Sequence, residues 1–190
     1  MDSRAIATAI PGVWVIETDF FRDERGFFIE NYHRQRFGTH GITATFVQDN
    51  HSRSRQGVLR GFHYQDARAP MDKLVRCTRG KILDVVVDLR AGSPTFGTHV
   101  AVELSEENMH QLYVPHWCGH AFLTLSEIAD VQYKCSSYYT PEAEGVVAWG
   151  DPDIGVAWGI ANPITSQRDQ HGQSLRAYLE QPAYTYSLNA

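Results

Sequence analysis

The 190-residue chain is poor in cysteine, in helical periodicity and in long apolar runs. Its three cysteines, Cys77, Cys118 and Cys135, are odd in number and form no CxxC pair, which argues against a disulfide framework. No apolar stretch approaches the ~20 residues of a membrane-crossing helix. The N-terminal "MDSRAIATAIPGVWVIETD" lacks the long apolar segment of a secretory signal. These absences predict a cytoplasmic protein with no membrane partner. Positive charge is also short: the net charge is −5, which argues against a nucleic-acid partner, since that affinity needs a basic face. The cations are unevenly spread. Twelve of the seventeen Lys and Arg lie between Arg22 and Lys81, and from Ala91 to Gln167 the only one is Lys134. A solvated basic surface accounts for this, and so does a local anion site built from Arg, whose planar fork suits phosphate.

What is present is alternation. In "KILDVVVDLR", Leu83, Val85, Val87 and Leu89 share one face and Asp84 and Asp88 the other. "THVAVEL", "GVWVIET", "GFFIENY", "TATFVQDN", "KLVRCTRG", "HAFLTL" and "ADVQYKC" also follow period two. Turns such as "AGSPTFG" and "TPEAEG" separate them. With apolar residues at 43%, the chain can bury a core. Many short strands between turns predict an all-β sandwich or barrel in one domain, 1–190, with a core of about 12–170 and a C-terminal extension 171–190. Short helices are expected at Arg34 to His40, in "SEENMHQL" and in "QSLRAYLEQP".

Alternation also sorts polar residues. In "ADVQYKC", Tyr133 falls with Ala129, Val131 and Cys135, and Asp130, Gln132 and Lys134 take the face expected to be wet. Lys73 falls with Val75 and Cys77, an inward position where an amine must be paired, solvated in a cavity or neutral. A strand-end Lys snorkelling to solvent is the plainer account. In "GVLRGFHYQ", strict alternation sends Arg60 and His63 to opposite faces. Gly61 between them predicts a bulge that turns both into one cavity. A histidine bonded to backbone in the core is the competing account of His63. In "VPHWCGHAF", His116, Cys118 and His120 alternate and carry zinc- or copper-binding chemistry, although Pro115 and Gly119 disfavour a regular strand there.

"QDNHSRSRQGVLRGFHYQ", "DKLVRCTRGKILDVVVDLR", "GHAFLTL…ADVQYKCSSYYTPEAEG" and "WGDPDIGVAW", in order from about Arg22 to Asp169, resemble the dTDP-4-dehydrorhamnose 3,5-epimerase family. The resemblance implies a cupin-type jelly-roll barrel, a homodimer, no metal or organic cofactor, and a nucleotide-linked 4-keto-6-deoxy hexose as substrate. It implies His63 as the base that removes a proton beside the C4 carbonyl, Asp169 as its partner, Tyr133 as the acid on the opposite face, and Lys73 at the enolate oxygen. It further implies Arg25, Arg60 and Arg168 at the diphosphate, Glu30, Gln48, Asn50 and Glu144 at nucleotide and sugar, His120 beside the sugar, and Phe27 and Tyr139 stacking on the base.

The sequence also departs from the family pattern. "PHWCG" is bulkier than a small Gly-containing loop, and Asp72 stands where Gly is common, suggesting an Asp72–Lys73 pair. Relatives that invert only C3 or only C5 carry the same base and acid, so the carbon inverted and the nucleotide (dTDP, CDP or GDP) stay open. Two other classes stand beside the epimerase: a metal-dependent cupin oxygenase or isomerase using His63, His116, Cys118 or His120, and a non-catalytic sugar-binding cupin.

Overall fold

The alternating segments become strands. The computed structural model describes residues 1–187. In chain order the strands are β1 (Ser3–Ala7), β2 (Trp14–Thr18), β3 (Phe20–Asp23), β4 (Gly26–Ile29), β5 (Gln48–Arg55), β6 (Leu59–Gln65), β7 (Lys73–Arg79) and β8 (Lys81–Asp88). There follow β9 (Arg90–Ala91), β10 (His99–Ser105), β11 (Gln111–Val114), β12 (Cys118–Thr124), β13 (Ile128–Cys135), β14 (Glu144–Val146) and β15 (Tyr184–Thr185). Three short helices, α1 (Arg34–Thr39), α2 (Gln167–Gln170) and α3 (Leu175–Glu180), lie outside them. A six-stranded sheet, β1-β2-β11-β7-β13-β5, faces a five-stranded sheet, β10-β8-β12-β6-β14, and every pairing within the two is antiparallel. This is the all-β, cupin-type jelly roll.

Both sheets are covered on both faces. Between them lie Val75, Leu112 and Val131 of one sheet and Ile82, Val86 and Phe122 of the other. Outside the five-stranded sheet, Leu59, Phe62, Val85 and Val87 pack under Trp158, Leu175 and Tyr178. Outside the six-stranded sheet, Ile16, Leu74 and Tyr113 meet Phe37 and Ile42. Period two along β8 therefore divides two apolar environments rather than oil from water, and Asp84 and Asp88 are fully buried on its inner face. Helix α3, six residues long, is too short to hold its shape alone. Burial of Leu175 and Tyr178 stabilises it, at about 1.5–3 kcal/mol per apolar side chain of this size.

Two expectations are corrected. "SEENMHQL" is a turn, not a helix: Asn108 Oδ1 accepts from the Ser105 and His110 amides at 3.0 Å each, and Ser105 Oγ accepts from the Asn108 amide. Such side-chain bonds compete with helical ones. On the face of β13 expected to be wet, Asp130 is buried, gripped by both guanidinium arms of Arg53 at 2.7 Å.

The bulge at Gly61 is present. His63 pairs with His120 and Arg60 with Phe122, so two residues of β6 oppose one of β12. Parity shifts by one at this point. Leu59, Phe62 and Tyr64 face the outer core, and Arg60, His63 and Gln65 face the lumen. Gly61 has φ +114°, and a Cβ there would run into the His120 carbonyl oxygen and lie 2.7 Å from Ala121 Cα. Gly61→Ala is expected to destabilise the fold by more than ~1 kcal/mol, because the backbone conformation is closed to alanine. A urea-denaturation midpoint equal to wild type would show that the bulge tolerates a side chain.

Candidate active site

A cavity of about 480 Å³ opens between the inner faces of the two sheets. β6 contributes Arg60 and His63, β7 Lys73, β12 His120, β13 Tyr133 and β14 Glu144. Gln48 and Asn50 from β5, Tyr139 and Arg168 complete the expected residues that line it.

Asp169 stands behind His63. It is 3% exposed, and its Oδ1 lies 2.5 Å from His63 Nε2. A carboxylate only accepts, so Nε2 carries the hydrogen and Nδ1 is the ring's basic atom. The Nη2 of Arg168, 3.1 Å from Nε2, then faces another donor and makes no hydrogen bond to that nitrogen. Burial pushes His63 below the ordinary imidazole range, outweighing the upward pull of Asp169, and Lys73 and Arg168 add to the downward push. Burial alone would raise Asp169, but the bonds from His63 and Ser166 hold it below the usual carboxylate range. The dyad at rest is a neutral imidazole on a carboxylate.

Tyr133 comes from the opposite sheet, paired with Asn50 and Val75. Burial pushes its phenol up, against a bond from Asn50, so it keeps its proton. Burial pulls Lys73 down, against the upward pull of Cys135, Glu144 and Asp84. The Asp72–Lys73 pair is not formed: Asp72 Oδ1 instead accepts from the His116 amide at 2.7 Å and lies 2.9 Å from His116 Nδ1. At the mouth, Glu144 is bonded to Arg168 and accepts from the Tyr139 hydroxyl at 2.9 Å. Arg60 bonds Ser54 Oγ through its Nε at 3.1 Å and forms no salt bridge among the described residues, which leaves the rest of its fork open to an anion.

Arg25, Phe27 and Glu30 do not join this cavity within their own chain. They lie on or just after the projecting β3–β4 hairpin. Arg25 is paired with Asp23, Phe27 packs edge-on against Phe20, and Glu30 is paired with Arg36. The donors weighed for a metal also separate. His116 goes to Asp72, Cys118 enters the core between the sheets, and His120 bonds to Asp84 at 2.6 Å. Among the described residues, no three of His, Cys, Asp and Glu cluster as a metal would require.

Sequence reading missed Asp84 and Ser166. Asp84 carried a signal, an acid inside an apolar run, but its face was not recognised as the lumen. Ser166, which bonds Asp169, had none beyond standing three residues before it in "SQRDQHG".

The family model described as dTDP-4-dehydrorhamnose 3,5-epimerase matches residues 7–177. The chain belongs to that family. It is 49% identical over 166 residues to the dTDP-4-dehydrorhamnose 3,5-epimerase of Salmonella typhimurium, covering 86% of this chain and 91% of the relative. The crystal structure of the dTDP-6-deoxy-D-glucose-3,5-epimerase of Legionella pneumophila, in complex with dTDP-4-keto-L-rhamnose, superposes with a TM-score of 0.92 at 41% identity, covering 97% of this chain and 99% of that one. A 4-keto-6-deoxy sugar epimerase from the novobiocin gene cluster of Streptomyces spheroides superposes at 0.94 with 35% identity, covering 98% and 94%. The protein is therefore an isomerase of the epimerase kind.

The titration directions fix the expected pH profile of the epimerase. With His63 as the neutral base that the resemblance implies, its lowered value puts the acid limb of kcat/KM below the 6.5 of an ordinary imidazole. With Lys73 as the cation that the resemblance implies, its lowered value puts the alkaline limb below 10.5. In Lys73→Arg, whose charge persists, residual activity is expected to hold to higher pH. A wild-type alkaline limb above 10.5 would remove Lys73 from that role.

Proposed function

We propose that the enzyme inverts both C3 and C5 of dTDP-4-dehydro-6-deoxyglucose, giving dTDP-4-dehydrorhamnose, without a cofactor. The observation that carries this is His63, backed by Asp169 at 2.5 Å, in one cavity with Tyr133 and Lys73 from the opposite sheet. The C4 carbonyl acidifies the hydrogens on C3 and C5. Nδ1 of His63 takes one, and the electron pair of the broken C–H bond moves into an enolate with its charge on O4. Lys73 stabilises that charge, an effect of about 3 kcal/mol by comparison with a lost oxyanion donor. Tyr133 returns a proton to the carbon from the opposite face, and the carbon is inverted. His63 then releases its proton and Tyr133 regains one. Acid and base each contribute on the order of 10²–10⁴ in rate. Arg60 and Arg168 hold the diphosphate, Gln48, Asn50 and Glu144 the nucleotide and sugar, His120 the sugar, and Tyr139 stacks on the base.

The test is proton exchange in D₂O followed by NMR. Label at both C3 and C5 is expected without added metal, lost in His63→Ala and retained in part in Tyr133→Phe, where inversion falls more than exchange. Label at one carbon would make the enzyme a mono-epimerase. Turnover that requires a metal would overturn the reading.

The working unit is a homodimer in the cytoplasm. Phe21, Phe27 and Phe28 on the hairpin are 67%, 55% and 68% exposed, an apolar surface that a second copy covers. A dimer that brings the hairpin to the partner's cavity also gives Arg25, Phe27 and Glu30 the substrate contacts the resemblance implies. Sedimentation is expected to give twice 21.5 kDa. Phe28→Asp is expected to yield a monomer with at least tenfold lower kcat/KM, a loss of ~1.4 kcal/mol. A fully active monomer would overturn the shared site.

A further inference from the structure

Both oxygens of Asp169 are engaged. Oδ1 meets His63 Nε2 at 2.5 Å, and Oδ2 accepts from the Ser166 hydroxyl at 2.8 Å. The same Ser166 oxygen accepts from the Asp169 amide at 3.1 Å, closing the first turn of α2. One side chain thus fixes the carboxylate and the backbone that bears it. The need for such a device is geometric. Helix α2 has four residues and stands outside the two main sheets, so strand pairing does not hold Asp169 as it holds His63. A second cavity, lined by Ile164, Thr165 and Ser166 together with His63 and Asp169, lies against the dyad, so the carboxylate is not packed on every side.

We propose that Ser166 is a positioning residue: its hydroxyl locks the Asp169 carboxylate in the orientation that fixes the His63 tautomer, making a Ser166–Asp169–His63 relay of orientation. This deepens the reading of His63 as the base and rests on it. Without the hydroxyl, the carboxylate can turn about its last bond, the 2.5 Å contact is lost for part of the time, and Nε2 no longer holds its hydrogen in one place. The other charged or titratable groups around His63 are Arg168 on α2, Lys73 on β7, His120 on β12, Tyr133 on β13, Glu144 on β14, Arg60 and Tyr64 on its own strand, His51 on β5 and Tyr139, and the substitution touches none of them.

Ser166→Gly is the discriminating variant, because glycine caps a helix within a few tenths of a kcal/mol of serine yet has no hydroxyl. Ser166→Thr restores both bonds. The first readout needs no substrate: the far-downfield proton NMR signal of the buried His63 Nε2–H, identified by its loss in His63→Ala. It is expected to broaden or vanish in Ser166→Gly, to persist in Ser166→Thr, and the His63 titration midpoint is expected to fall in the glycine variant as Asp169's support weakens. The second readout is kinetic: kcat is expected to fall about tenfold, the scale of a lost outer-shell partner, with KM within about twofold. A Ser166→Gly protein that keeps the wild-type signal and midpoint overturns the proposal, even if its melting temperature falls, since Ser166 would then only cap the helix. If no dTDP sugar is turned over but the signal behaves as expected, the substrate reading fails and the positioning role stands.

Discussion

The register shift at Gly61 is the constraint on which the site depends. Without it, Arg60 and His63 would point to opposite faces of β6, one at the lumen and the other into the apolar layer under Trp158. With it, the fork that suits a diphosphate and the imidazole that suits a C–H bond share one wall. The shift is possible because Gly61 has no side chain, and the neighbouring backbone of β12 occupies the space that one would need. His120 is the residue of β12 paired with His63, so the same irregularity that turns His63 inward also sets the spacing between the two imidazoles.

The lumen places several charges in a dry setting, and their pairing decides which of them can act. Asp84 and Asp169 each take a histidine, and Glu144 takes Arg168 and Tyr139. The two histidine–aspartate pairs rest on buried carboxylates, whereas Arg168 and Tyr139 stand exposed at the mouth, so the first two contacts leave the least freedom to their side chains. Lys73 is the exception, because its support comes from Glu144 and Asp84 through the field rather than through a bond that would occupy its donors. Burial is the stronger influence and pulls the amine down, and among the described residues no hydrogen bond occupies its donors. Desolvation lowers His63 and raises Tyr133, so it favours the neutral form of each. One physical cause thus acts alike on two groups that project from opposite sheets.

Much of this was legible in the sequence, for identifiable reasons. Alternation placed Lys73 and Tyr133 inward because β7 and β13 keep period two through those positions. A glycine between Arg60 and His63 announced the bulge. Alternation failed where both faces of a strand are buried: Asp84 looked like one side of a half-wet strand, when the other side was a second apolar layer. It also failed for "SEENMHQL", where Asn108 and Ser105 side chains satisfy the amides that a helix would have claimed. Asp169 lies on a four-residue helix, capped by Ser166, that carries no period at all, so only family resemblance reached Asp169 and nothing reached Ser166. Arg25, Phe27 and Glu30, which only the resemblance put at the substrate, lie on or just after the β3–β4 hairpin and do not line their own chain's cavity.

The bulky "PHWCG" segment takes its meaning from the same layering. Trp117 stacks on the Arg90 guanidinium at 3.5 Å, and Tyr186 lies over the same group at 5.1 Å. Tyr184 packs against the His116 ring and donates to the Gln65 carbonyl at 2.6 Å. These aromatics seat the C-terminal segment through β15 on β9, where a small loop would leave it without a surface to stack on. His116 also holds Asp72, the residue before Lys73, and Gln65 ends the strand that carries His63. Trp117 and Cys118 do not line the cavity. The departure therefore changes how the walls are buttressed rather than which groups line the cavity: its contacts reach Gln65 and Asp72, at the strand ends near His63 and Lys73, and leave the lining residues as they are.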